Sequence, residues 1–227
     1  MAATIIFFIS FYLVSIPSIL IWETESIPIK IRAVLVTAIS FVLGLVVISR
    51  FLKELGMSYK EIGVKWSGKR DFARNLSLLL SGVAACLMWV FVYFSSFKLL
   101  FPAQYSKLEA MKYNGYINFL SEWGGSGEFF GVTSLWCSVL LLATIEELAF
   151  RGLIFTYIRR KYSFKKALLW SSTLFTLGHL NPYNFPVSFM LGLIFALLYV
   201  KSSGIVVPIL AHFCYNLSLH YFSTLFH

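Results

Sequence analysis

The sequence has few charged residues, and this scarcity excludes most soluble proteins. Only 13% of its 227 residues are charged, whereas a soluble domain has roughly 25%. By contrast, 59% of the residues are hydrophobic and 18% are aromatic. A soluble chain of this length cannot bury so much apolar surface, and a disordered chain would have far less of it. The composition therefore predicts a protein that crosses a membrane several times.

Cysteines and acidic residues are also scarce. The three cysteines all lie within apolar runs and lack metal-ligand spacing, so neither a disulfide framework nor a cysteine metal site is expected. Nineteen basic residues outnumber ten acidic ones, which gives a net charge of +9. Seven basic residues lie between residues 50 and 75 and five between 159 and 166, next to apolar runs. We interpret both clusters as cytoplasmic loops facing anionic lipid headgroups, so no nucleic-acid partner is expected.

Several apolar stretches approach the length of about 20 residues that a helix needs to cross the hydrocarbon core. They predict an all-α, polytopic bundle of about seven transmembrane helices, over residues 3–22, 33–49, 76–97, 132–158, 167–180, 184–200 and 205–226. Alternation of the loops puts the N-terminus in the cytoplasm and the C-terminus outside. The first stretch has no preceding Lys or Arg and no small-residue cleavage site, so we expect a retained helix rather than a signal peptide. The fifth stretch is short and is followed directly by the turn pair Asn181-Pro182.

The pattern indicates one membrane domain over residues 1–227, because it has no repeat and no change of composition. We expect a catalytic core over about 132–226, preceded by N-terminal helices and interfacial segments over 1–131. Residues 51–75 and 98–131 mix apolar or aromatic residues with charged ones, as segments that lie in the membrane interface do.

Acidic, basic and histidine side chains within the predicted spans are few, and all of them follow residue 145. Because a charge inside a bilayer is costly, an ionisable residue there marks a functional site by default. The set consists of Glu146, Glu147, Arg151, His179, His212, His220 and the amide of Asn216. With a rise of about 1.5 Å per residue, Glu146, His179 and Asn216 lie near the middle of the hydrocarbon core. Three predicted helices therefore bring polar groups to a similar depth.

The spacing of these residues indicates how they are paired. Residues four apart share a helix face, which pairs Glu147 with Arg151, Phe175 with His179, and His212 with Asn216. Glu146 lies about 100° around the helix from Glu147, so one carboxylate is neutralised and the other is available. A carboxylate can act as a general base, and imidazoles and an amide can stabilise an oxyanion. The pattern therefore predicts a hydrolytic site.

Three motifs in this region resemble those of a known family. The run Glu146 to Arg151 matches EExxxR, Phe175 to His179 matches FxxxH, and His212 to Asn216 matches HxxxN. In this order on apolar helices, they resemble the CPBP intramembrane proteases, the CAAX protease and bacteriocin-processing family, also called Abi. The resemblance implies a glutamate-dependent intramembrane endopeptidase. In it, Glu146 activates water with help from His179, His212 and Asn216 stabilise the oxyanion, and Glu147, Arg151 and Phe175 have supporting roles.

The resemblance also implies the setting and the partners. The substrate is a membrane-embedded or lipidated peptide or protein: a prenylated CAAX-type tail, a bacteriocin or pheromone precursor, or a C-terminal sorting tail. The location is a bacterial or archaeal plasma membrane, and the oligomeric state is left open. We favour a mechanism without a metal cofactor, because no HExxH motif is present. Zinc is the alternative, since members have been described as metalloproteases, and Glu146, His179 and His212 would then be the ligands.

Other interpretations compete with this one. The polar residues could form a purely structural ion pair, or a family member could have lost catalysis. A transporter or self-immunity protein could use Glu146, Glu147 and Arg151 as an ion relay, with polar groups along a path through the membrane. A serine mechanism would use the string from Gly124 to Gly127, which we interpret as a flexible loop. An aspartyl mechanism needs two aspartates, and the chain has only Asp71.

Overall fold

The fold was analysed in a computed structural model, which describes residues 29–65, 71–109, 129–179, 182–202 and 204–225. Throughout these ranges the chain forms helices and turns without a strand, which confirms the predicted all-α class. The helices are α1 (Ile29–Glu54), α2 (Phe72–Leu100), α3 (Phe129–Glu147), α4 (Thr156–Lys161), α5 (Phe164–Gly178), α6 (Phe185–Ser202) and α7 (Val206–Leu225). A further helical segment covers residues 102–109.

Three helical segments in the described residues are long and apolar enough to cross a membrane, namely Val34–Glu54, Phe72–Leu100 and Phe185–Ser202. A shorter apolar segment, Val206–Leu219, lies in α7. The 15 residues of α5 rise only about 22 Å, which is less than the hydrocarbon thickness of about 30 Å. The predicted span 167–180 is therefore too short to cross unaided, and the predicted span 3–22 lies outside the described residues.

One continuous helical run joins α3 to α4 through a π-helical stretch, Leu148–Phe155. The sequence predicts a span over 132–158 but gives no sign of this stretch. All eight residues of the π-helical stretch are buried. Such wide helical turns are rare and frequently lie at functional sites. This one directly follows the two adjacent glutamates, so it sets the direction in which the next side chains leave the helix.

The π-helical stretch lies at the centre of the bundle. It packs against α5, α6 and α1, while α2 packs against α6 and α7, and α3 packs against α1 and α7. Large side chains in this core, such as Phe150, Phe175 and Phe195, are almost completely buried. The helices that carry the three motifs therefore surround one core, which brings residues distant in sequence into contact.

The turns after α1 close one end of this core. The segment predicted to lie in the interface, 51–75, in fact directs several apolar side chains inward, and Met57 and Ile62 are buried in the core. Gly63 has a φ of 85°, and a Cβ atom there would lie 2.7 Å from the Tyr199 ring of α6. Glycine therefore provides both the left-handed backbone and the space that this close approach requires.

Contacts between loops group the ends of the helices. Glu61 forms an ion pair with Arg160, and the Ile205 N–H donates to the Gly63 carbonyl at 3.1 Å. These contacts join the two segments that the sequence places on the cytoplasmic side, 50–75 and 159–166, and bring the residue before α7 against the first of them. At the other end, the Tyr93 hydroxyl donates to the carbonyl of Tyr183 at 2.7 Å. The number of crossings and the side that faces the cytoplasm stay predictions.

Candidate active site

Glu147 lies at the centre of the polar cluster and is completely buried. Its Oε1 accepts a hydrogen bond from Arg151 Nη1 at 2.8 Å and another from His212 Nδ1 at 2.9 Å. The side chain of Arg151 is only 1% exposed. The pairing predicted from the four-residue spacing is therefore confirmed, and α7 joins it through the imidazole. Removing one partner from such a buried pair would leave an uncompensated charge, which is strongly destabilising.

The bond to Glu147 fixes the orientation of His212. An ionised carboxylate can only accept, so Nδ1 of His212 must carry the proton in this bond. The other ring nitrogen, Nε2, faces Glu146 Oε2 at 3.9 Å. In the neutral ring Nε2 is an acceptor, and it donates only when the ring carries both protons. His212 therefore connects the two adjacent glutamates, one through a hydrogen bond and the other across a short gap.

Glu146 differs from Glu147 in its access to the surroundings. Its side chain is 27% exposed, although its Oε2 atom is buried and makes no hydrogen bond within the described part of the chain. The exposed surface therefore belongs to Oε1 and the side-chain carbons. Of two neighbouring carboxylates, one is completely buried and held by an arginine and a histidine, and the other belongs to a side chain that is partly exposed.

His179 lies at the C-terminal end of α5, where its Nδ1 donates to the Phe175 carbonyl at 2.8 Å. This bond leaves Nε2 as an acceptor in the neutral ring. The Phe175 ring lies 4.6 Å from the His179 ring and 4.2 Å from the Arg151 guanidinium, measured to ring centroids. It also meets the His212 ring edge-on at 6.0 Å. Phe175 thus links His179 to the buried cluster.

Asn216 lies one turn after His212 on α7, so the two side chains share a helix face. It is half-buried, and its amide group has two N–H donors. The amide is therefore available as a donor on the same face as the imidazole.

Two residues of α6, Gly192 and Phe195, also contact the cluster, although the sequence motifs do not include them. The Gly192 carbonyl accepts from Arg151 Nη2 at 3.4 Å. The Phe195 ring stacks on the His212 ring at 4.8 Å with an interplanar angle of 23°, and it lies 5.3 Å from the Arg151 guanidinium. Neither residue is ionisable, so the charge pattern of the predicted spans does not indicate them. A glycine inside an apolar helix, which allows close helix packing, was the available signal.

Glu146, His179 and His212 do not fit a zinc site in this arrangement. Zinc ligands lie about 2.0–2.2 Å from the metal, which brings them close to one another. Among the described residues, which include these three, no group of three or more His, Cys, Asp or Glu side chains could hold a metal ion. The preference for a mechanism without a metal stays a prediction.

Together, the fold and the cluster define a helical membrane protein with a buried Glu-Arg-His group beside an accessible glutamate. Residues 128–218 match the family model described as type II CAAX prenyl endopeptidase Rce1-like. This match confirms the resemblance to the CAAX proteases, and the matched range contains all seven predicted site residues. No curated protein and no solved structure matches the chain significantly. The family points to a protease, and the ion-relay alternative receives no support.

Proposed function

We propose that this chain is an intramembrane endopeptidase that hydrolyses a peptide bond of a membrane-associated substrate with water activated by Glu146. The observation that carries the proposal is the contrast between the two glutamates: Glu147 is completely buried and bound by Arg151 and His212, whereas the side chain of Glu146 is 27% exposed. A general base must reach its water, and only Glu146 meets that condition.

The remaining predicted roles follow from the hydrogen-bonding capacity of each side chain. Glu146 takes a proton from water, and the resulting hydroxide attacks the scissile carbonyl carbon. With its Nδ1 proton donated to a carbonyl, His179 offers Nε2 as an acceptor that helps to orient this water. Glu146 then passes the proton to the leaving amine, so that the peptide bond breaks and the carboxylate is regenerated.

Oxyanion stabilisation is assigned to His212 and Asn216. The amide of Asn216 donates in its ordinary state, and His212 donates from Nε2 in its doubly protonated state. The hydrogen bond from Nδ1 to Glu147 leaves Nε2 facing Glu146, the proposed general base. This arrangement supports a positioning role for Glu147 in addition to the predicted pairing with Arg151.

The preferred substrate is a prenylated CAAX-type tail, because the matched family is described by that activity. The buried and apolar surroundings of the cluster suit a substrate delivered from the bilayer. A bacteriocin or pheromone precursor and a C-terminal sorting tail present the same scissile bond, so a substrate panel should include all three classes.

A cleavage assay in liposomes tests the proposal. The full chain is reconstituted with fluorogenic peptides of each class, and the wild type is compared with Glu146→Gln and with Glu54→Gln, an exposed glutamate at the end of α1. We expect the first variant to lose at least about 100-fold in kcat and the second to keep wild-type activity. Equal cleavage by the wild type and Glu146→Gln would overturn the mechanism. Activity that disappears with a chelator and returns with zinc would overturn the preference for a metal-free reaction.

A further inference from the structure

Phe195 and the helix that carries it hold the most informative contacts outside the three motifs. The Phe195 ring is completely buried and touches both groups that donate to Glu147. It lies nearly parallel to the His212 ring at 4.8 Å, and it lies 5.3 Å from the Arg151 guanidinium. Aromatic rings pack in stacked or edge-to-face arrangements, and a stacked neighbour covers the face of the imidazole, so tilting the imidazole plane would bring the two rings into collision.

The ring plane of His212 decides where both of its nitrogens point. Nδ1 must reach Glu147 Oε1, and Nε2 must face Glu146 Oε2. Rotating the imidazole about its χ2 bond would break the first contact and turn the second nitrogen away. The hydrogen bond to Glu147 constrains one edge of the ring only, so a second constraint is needed to hold the plane. The face of Phe195 supplies that constraint.

The position of α6 is itself closely determined. A Cβ atom on Gly192 would lie 2.9 Å from the Cα atom of Ser172 on α5, so the two helices are in backbone contact there. Gly192 precedes Phe195 by almost one turn and accepts a hydrogen bond from Arg151. The close contact at Gly192 thus fixes the height and rotation at which α6 presents the Phe195 ring.

We propose that Phe195 is a positioning residue that holds the His212 ring plane between Glu147 and Glu146. This inference rests on the proposed function for its catalytic consequence, although its geometric part stands independently. It predicts that an aliphatic side chain of similar volume will keep the fold and lose the defined ring orientation.

The test compares Phe195→Leu with Phe155→Leu. Phe155 is similarly buried, but it meets the rings of Phe164 and Tyr199 edge-on near the end of the core. The full chain is labelled with ¹⁵N-histidine and studied by NMR in detergent micelles, with the His212 signals assigned through His212→Gln. We expect Phe155→Leu to keep the wild-type signal of the protonated Nδ1. In Phe195→Leu, this signal should be averaged or lost to exchange with water.

The second readout is catalysis. We expect Phe195→Leu to lower kcat by about tenfold or more, with KM nearly unchanged and with a greater loss than in Phe155→Leu. If Phe195→Leu does not fold, Phe195→Met provides a flexible side chain that fills the same space. Unchanged His212 signals in the folded variant would overturn the inference. If Glu146→Gln is inactive but the two Leu variants lose activity equally, the proposed function survives and this inference fails.

Discussion

Helices α2 and α6 are both apolar enough to cross a membrane, yet they meet very different surroundings. Within the most apolar 18 residues of each helix, 11% of the residues are buried in α2 and 50% are buried in α6. The exposed side chains of α2 are large and apolar, with Phe91 73% and Leu80 62% exposed. By contrast, α6 packs against α5, α2 and the π-helical stretch.

An apolar sequence therefore indicates a membrane helix but does not reveal whether the helix supports the site. In lipid there is no hydrophobic force between helices, so association depends on close packing and polar contacts. Helix α6 has both: Gly192 in backbone contact with α5, and a carbonyl and a ring against Arg151. Helix α2 presents most of its surface outward. Substitutions that reach the α6 contacts should therefore cost much more than matched ones on α2.

The largest effect is expected at Arg151, whose guanidinium contacts α6. Arg151→Leu leaves Glu147 buried with one donor fewer, so we expect a loss of about 3–5 kcal/mol in the free energy of unfolding. The matched control is Arg74→Leu at the start of α2, where an exposed arginine pairs with Asp71 and about 0–1 kcal/mol is at stake. Chemical unfolding in detergent micelles measures both. A stable but inactive Arg151→Leu would show that Arg151 belongs to the chemistry rather than to the support.

Much of the helical framework could be predicted from apolar runs. The spans over 76–97 and 184–200 lie within or almost within α2 and α6. Both helices end beyond the predicted spans, because the thickness of the hydrocarbon core predicts only the residues inside it and not the helical turns outside it. The π-helical stretch could not be predicted, because it depends on how Leu148–Phe155 packs among α1, α5 and α6. Its residues are as apolar as those of an ordinary helix.

The charged residues of the cluster could be predicted from the sequence more readily than the contacts that hold them in place. Charge inside a bilayer is so costly that Glu146, Glu147 and Arg151 stand out in the sequence, and the four-residue rule gave the pair seen in the structure. The bond between Glu147 and His212 joins residues 65 apart, and no local rule contains it. Phe195 could not be predicted as part of the site, because an aromatic residue in an apolar helix does not stand out as a charged residue does.

Substitutions of one glycine on α6 and one on α2 should have smaller effects on stability than Arg151→Leu. Gly192→Ala on α6 would press its methyl group against the Ser172 backbone at 2.9 Å, so we expect a loss of about 1–3 kcal/mol. Gly82→Ala on α2 would meet the Leu198 side chain rather than backbone, at 2.5 Å from Cδ1 and 3.3 Å from Cγ, so that only this side chain has to shift. The better helix propensity of alanine, about 1 kcal/mol, should offset that adjustment. Equal losses of stability in the two variants would contradict the distinction between α2 and α6.

The smallest effect concerns Glu61, an exposed carboxylate in the turns that pack beneath the end of α6. The Ser58 backbone N–H donates to it at 2.7 Å and the Ser58 hydroxyl at 3.0 Å, and Arg160 pairs with it. These bonds favour the charged form, first of all the backbone bond from Ser58, and they lower the pKa of Glu61 below its usual value of 4.5. Solvent screens this site, in contrast to Glu147.

The sign of the pH dependence follows from the direction of that pKa shift. Because the folded pKa is depressed, the stabilisation is fully present above pH 4.5 and is lost as the pH falls through the folded pKa. Thermal unfolding in nonionic micelles should therefore give Glu61→Gln a lower Tm than the wild type at pH 7, and the difference should shrink below about pH 4.5. Ser58→Ala, which removes the hydroxyl but keeps the backbone donor, should show only part of the difference. A gap that is constant from pH 7 to the acid limit would mean that the charge on Glu61 does not hold these turns beneath α6.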